Sequence, residues 1–168
     1  MKNAATLAGV TLLTLASFSD ARPVMPVGNH AGQLVDALLI ALQRQSTDAF
    51  AELFPTLTEF HDVMELNRGF YGKSLDKARE DFARVYNDVL VPELRKSFAR
   101  VLGEGKALGI DWGSIELPSW ELTPSNPEAT AFQLVMRIQS GGDPYTLVVE
   151  KILVIHDRVH VSSAVRIG

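Results

Sequence analysis

The chain has no cysteine. That excludes disulfides, thiolate metal sites, a cysteine nucleophile and the lipid-modified N-terminus of a lipoprotein. It also has no block of like charges: 16 basic residues stand against 20 acidic ones, for a net charge of −4. The electrostatic footprint of a nucleic-acid binder is therefore missing, and no nucleic-acid partner is expected. No apolar run reaches the about 20 residues that a membrane-spanning helix needs. Glycine-rich phosphate loops are absent too. The segment GEGKALG (103–109) follows a helical pattern rather than a strand and lacks the Gly-Lys-Ser/Thr ending. No internal repeat or low-complexity tract is visible.

What is present bounds the rest. With 168 residues, 46% of them apolar, the chain suffices for one domain with its own core. The first residues, MKNAATLAGVTLLTLASFSDA, read as an address: Lys2, then an apolar run from Ala4 to Phe18, then Ser19 and Ala21 at the −3 and −1 positions of a cleavage site. Residues 1–21 are expected to be a signal peptide, with the mature chain starting at Arg22. The protein is then secreted or periplasmic, meets a membrane only during export, and needs a core stable without crosslinks. Residues 22–30, with two prolines and a glycine, read as a linker into a single domain over 31–168.

Helical spacing governs the first part of that domain. Leu34, Leu38, Ala41 and Leu42 mark an amphipathic helix over 31–44. A short helix follows, capped at Ser46 or Thr47 and stopped by Pro55. Thr56 with Glu59 three residues later forms a capping box for the next helix. GFYGK (69–73) reads as a turn. From Ser74 a long helical pattern runs to Lys106, with a kink expected at Pro92, which gives no amide and crowds the carbonyl of Asp88. Gly103, Gly105 and Gly109 offer left-handed conformations for its end.

After Asp111 the period becomes 2. Ile115–Leu122 reads as an edge strand, because Pro118 lies within it. Phe132, Leu134, Met136 and Ile138 alternate cleanly along a second strand, SGGD is a hairpin turn, and YTLVVEKILVI and VHVSSAVRI complete an antiparallel meander. Helices first and strands after give an α+β fold, N-terminal helices packed on a curved antiparallel sheet of about four strands. Taking HDR (156–158) as a three-residue turn pairs Ile155 with Val159, Leu153 with Val161, Lys151 with Ser163 and Val149 with Val165. The outer face then carries Val135, Val148, Ile152 and Val154 among Arg137, Glu150, His160 and Arg166. That mixture suits a homodimer interface.

This order of elements, with GKALGIDWGSIEL and the closing YTLVVEKILVIHDRVHVSSAVRIG, resembles secreted bacterial members of the nuclear transport factor 2-like superfamily. The resemblance implies a cone, in which a curved sheet wraps the helices, with a pocket at the open end and dimerisation through the sheet. Its enzymatic members, ketosteroid isomerases and polyketide cyclases, use an Asp or His base in that pocket. None of their catalytic motifs is matched here, so no catalytic residue is carried over.

Few residues offer chemistry. His61 and Asp62 are neighbours on one helix and so cannot face each other. His61 lies roughly 90° from the centre of the apolar face, at the boundary of the core. Of the other histidines, His30 sits in the linker, while His156 and His160 flank a hairpin turn where helical metal-ligand spacing has no meaning. Ser162 and Ser163 lack the glycine elbow of a serine hydrolase. Neither metal nor cofactor is expected. Tyr71, Trp112, Trp120 and Tyr145 fill the core or line a pocket. In the register above, Lys151 interrupts an apolar row opposite Ser163, which either forms a polar notch or marks a bulge that turns the lysine outward. The ligand-binding candidates are thus Lys151, Ser163, His61, Tyr71 and Trp112. They frame a non-catalytic domain for a small apolar or anionic ligand or a protein partner, the alternative being a small isomerase, dehydratase or cyclase.

Overall fold

The computed structural model describes residues 29–125 and 131–168. The expected signal peptide and the expected linker as far as residue 28 lie outside them. Helix α1 (Asn29–Gln43) starts before the expected Ala31, so the end of the linker is helical. Gln45, at φ 50°, breaks it. The Ser46 hydroxyl then accepts from the Ala49 amide and opens α2 (Thr47–Ala51). The short α2 holds Phe50 flat against Phe98 of the last helix, with ring centroids 4.2 Å apart.

Pro55 separates α2 from α3 (Leu57–Leu66). Both halves of the capping box form: Thr56 Oγ1 accepts from the Glu59 amide, and Glu59 Oε2 accepts from the Thr56 amide at 2.7 Å. The GFYGK stretch is more helical than expected. It contributes to α4 (Arg68–Tyr71) and a tight 3₁₀ turn at Gly72–Ser74, entered through Gly72 at φ 55°.

The long helical pattern resolves into α5 (Leu75–Val85), a π-helical turn at Tyr86–Leu90 and α6 (Val91–Ala107). Pro92 stands in the first turn of α6, and the wider π turn ahead of it is how the chain accommodates a proline in a continuous helix. Of the three glycines near the helix end, only Gly109 takes a left-handed conformation, at φ 90°. Gly105 has a different reason. A Cβ there would overlap the indole of Trp112, which packs flat on the helix.

The strands are β1 (Glu116–Pro124), β2 (Ala131–Ser140), β3 (Asp143–Ile155), β4 (Arg158–Val161) and β5 (Val165–Ile167). They form one curved antiparallel sheet in the order β1-β2-β3-β4, with β5 pairing beside β4 on β3. The last two are one broken strand, so the expected meander and the α+β class hold. Pro118 lies on the edge strand, within an irregularity between Glu116 and Ser119. Leu38 and Leu42 of α1, Phe98 and Val101 of α6, and the inward row Phe132, Leu134, Met136 and Ile138 form one contiguous core.

The expected register of β4 is wrong by one residue. The turn is two residues, His156 and Asp157, both left-handed at φ 48° and 61°. Ile155 therefore pairs with Arg158, Leu153 with His160 and Ile152 with Val161. A two-residue turn of this hand matches the twist of the strands, which a three-residue reading ignores. Val149 does pair with Val165. The mismatch is absorbed where Ser162, Ser163 and Ala164 face only Glu150 and Lys151, and β3 bulges there against β2 as well. Beyond the bulge the faces of β3 exchange. Ile152 is in the core with Val161, not on the outer face, and His160 keeps the opposite face but is buried there.

Candidate functional site

α3, α4 and α5 form a helical hairpin whose side chains lie largely outside the contiguous core. It meets the rest of the fold along a seam with an aromatic part and a polar part. In the aromatic part, Phe60 of α3 packs on Phe82 of α5 at 4.9 Å and on Phe54 at 5.8 Å. Tyr86 closes the group and donates its hydroxyl proton to the Pro55 carbonyl.

The polar part centres on Glu59, whose residue is only 8% exposed. Its Oε2 accepts from the Thr56 amide and hydroxyl, while Oε1 accepts from Arg158 at 3.1 Å. His160, 4% exposed, places Nε2 at 3.2 Å from the same Oε1, yet makes no aligned hydrogen bond. Burial alone would raise the Glu59 carboxyl, but the Thr56 hydrogen bonds, with His160 and Arg158 behind them, hold it below the usual carboxylate range. His160 is lowered as well, for a different reason. Burial pushes it down more than the attraction of Glu59 raises it, so the ring is neutral near neutral pH.

Further along the seam, Asp62 stands 3.8 Å from His156. Unpartnered buried polar atoms also gather on these elements: His61 Nε2, Arg79 Nε, His160 Nε2 and Ser162 Oγ. Beside the seam opens a cleft of roughly 180 Å³ between α1, α2 and β4. Leu34, Ala37, Leu53 and Val159 give it an apolar wall, and His30, Gln33, Glu52, Arg158 and His160 make up its polar side. A broader groove of about 380 Å³ lies at the β2–β3 turn, lined by Ser114, Glu116 and Gln139 with Gly141 and Gly142.

The five residues expected to bind ligand do not converge. Lys151 and Ser163 do meet, but through the Lys151 amide, which donates to Ser163 Oγ at 2.9 Å. Trp112, 1% exposed, is a core residue whose indole N–H donates to the Leu102 carbonyl. Tyr71 is half-buried and sets its ring edge-on to Phe70. His61 sits at the core boundary as expected, its carbonyl accepting from Arg79.

Sequence reasoning missed the Glu59, Arg158 and His160 cluster. The signal existed in a capping glutamate and a strand histidine, but the sequence pattern leaves His160 on an open outer face; it does lie on the face opposite Val161, where Glu59 of α3 covers it. Among the described residues no group of three or more His, Asp or Glu is placed to hold a metal ion. No helix among them is long and apolar enough to cross a membrane. Comparison with protein-family models, curated proteins and solved structures gave no match.

Proposed function

We propose that the chain is a non-catalytic binding domain, acting outside the cytoplasm, that takes a small apolar molecule in the cleft between α1, α2 and β4. The observation that carries this is the lining of that cleft, an apolar wall of Leu34, Ala37, Leu53 and Val159 closed on one side by a fixed polar cluster. Its roughly 180 Å³ is below the usual range for drug-sized ligands, so a short acyl chain or a single ring fits better than a steroid. Arg158 is already engaged by Glu59, and Glu52 stands across from it, so the cleft has no surplus positive charge. A neutral molecule is favoured over an anion.

Membership of the nuclear transport factor 2-like superfamily belongs to the same proposal. It is supported by N-terminal helices followed by one curved antiparallel sheet, with α1 and α6 packed on the sheet's inward row. We do not extend the proposal to a homodimer through the outer sheet face. There Val135 opposite Val148 is flanked by ion pairs, Arg137–Glu121 and Arg166–Glu150, that satisfy the charges within one chain.

A second reading, a small isomerase, dehydratase or cyclase, is favoured by one observation, the neutral His160 imidazole against the Glu59 carboxylate. A base must reach its proton; His160 lines the cleft, but its buried Nε2 stands 3.2 Å from Glu59 Oε1 and so faces the carboxylate rather than the opening. Binding is therefore the better reading. Native mass spectrometry of the purified protein tests it, with Ala37→Phe as the variant that fills the cleft. A small co-purifying molecule present in the wild type and absent from the variant supports binding. Equal occupancy in both would remove the cleft from consideration.

A further inference from the structure

The tip of the α3–α5 hairpin carries an apolar feature that none of the described residues covers. Leu66 is 69% exposed and Phe70 81% exposed, the two most exposed large apolar side chains among the described residues. They stand four residues apart across the α3–α4 junction. The tip is convex: where a side chain would project from Gly69 or Gly72 there is open space. Gly72, at φ 55°, ends α4 just after Phe70, which stays exposed with the half-buried Tyr71 ring set edge-on to it. A protein groove would take such a knob from one partner shape only, whereas a fluid apolar phase accepts a convex wedge of any outline.

The charges around the tip select among apolar phases. From Leu66 to Leu75 the sequence has Arg68 and Lys73 and no carboxylate. The flanking acids are Glu65, shared by Arg68 at 2.7 Å and Arg79 at 2.6 Å, and Asp76, which stands 4.0 Å from Arg79; against Arg68, Lys73 and Arg79 they leave the tip a positive surplus. Aromatic and leucine side chains set among Lys and Arg are the composition that lodges at the boundary between acyl chains and headgroups. We propose that the α3–α4 tip docks on an anionic lipid surface, with Phe70 and Leu66 entering the acyl boundary and Arg68 and Lys73 meeting the headgroup phosphates. The proposal is independent of the ligand cleft.

The test is co-sedimentation of the full chain with vesicles of phosphatidylcholine, with and without phosphatidylglycerol. Wild type, Phe70→Ser, Leu66→Ser and Lys73→Glu are compared, and Val89→Ser serves as an exposed apolar control away from the tip. The expected result is preferential pelleting with the anionic vesicles. Phe70→Ser reduces the partition coefficient at least about tenfold, as loss of one buried aromatic side chain implies. Lys73→Glu removes the anionic preference, and Val89→Ser changes nothing. Each altered side chain is exposed, so folding should survive, and circular dichroism confirms it. Wild type remaining in the supernatant with both vesicles overturns the proposal. So does pelleting that Phe70→Ser and Leu66→Ser leave unchanged, because another segment would then be responsible.

Discussion

Gly105 of α6 presents its bare Cα to the flat of the Trp112 ring, and the indole N–H reaches the Leu102 carbonyl one turn earlier at 2.9 Å. The helix and the segment after it are locked together by the absence of one methyl group.

Two effects then oppose each other in Gly105→Ala. Helix propensity favours alanine by about 1 kcal/mol. Overlap with a ring that is itself buried costs about 1–3 kcal/mol, since the aromatic has nowhere to move. The expected outcome is net destabilisation, read as a lower urea midpoint with an unchanged slope. Gly103→Ala, at a site with open space around it, should move the midpoint upward.

Acid should weaken the fold through the Glu59 cluster. The Glu59 carboxyl is lowered in the folded state, so its contribution is present above the unfolded value of 4.5 and disappears as pH falls through the folded one. His160 is also lowered, from 6.5, because the buried ring resists protonation. The unfolded chain therefore binds its proton first, and stability again falls with pH, starting near 6.5. The two losses add in sign. Urea midpoints measured from pH 8 downward should show both, with His160→Gln flattening the upper segment and Glu59→Gln the lower. A midpoint that rises between pH 7 and 5 would contradict the assignment.

The His156–Asp157 turn holds two residues in left-handed conformations that glycine and asparagine adopt more readily. Replacing the pair by Asn-Gly should stabilise the protein by about 1 kcal/mol. The replacement also removes the His156 imidazole that faces Asp62, but that pairing is exposed and long, so its removal subtracts little. Thermal unfolding of the double variant gives the sign.

This turn also explains what was legible in the sequence and what was not. The capping box at Thr56 and Glu59, the Ser46 cap, the alternation from Phe132 to Ile138 and the edge proline at 118 are local rules, and each appears in the fold. The turn failed because histidine and aspartate seldom announce a tight hairpin, although both tolerate positive φ better than most residues. One residue of slip inverts every side chain on a strand. It put Ile152 on a false outer face, while the burial of His160 was hidden because nothing local in the sequence says that α3 lays Glu59 over that side of β4. The π turn was hidden for a related reason: Pro92 predicts that the helix must adjust, not which adjustment it makes.

At the β3 bulge, the hydroxyl of Ser163 takes the amide that the irregular ladder leaves free at Lys151. Ser163→Ala should cost about 1 kcal/mol, the worth of one such hydrogen bond. Lys151→Ala should be nearly neutral, since the lysine contributes its backbone to that hydrogen bond. A large loss from Lys151→Ala and none from Ser163→Ala would reverse these roles and restore a pocket function to the lysine side chain.

The π turn at Tyr86–Leu90 makes the joint between α5 and α6 sensitive to length rather than to composition. An added residue advances everything beyond it by about 100° around a helical axis. With that offset, α6 turns Phe98 and Val101 into the core while Phe82 of α5 lies against Phe60 of α3. Substitutions that keep helix-forming residues in this turn leave the offset intact. Deleting any one of them would still leave a sound continuous helix, but it would swing the hairpin away from its aromatic seam. Homologous chains that keep this arrangement can vary in the letters of residues 87–90 more readily than in the number of residues in the turn, Tyr86 being held by its place in the aromatic seam.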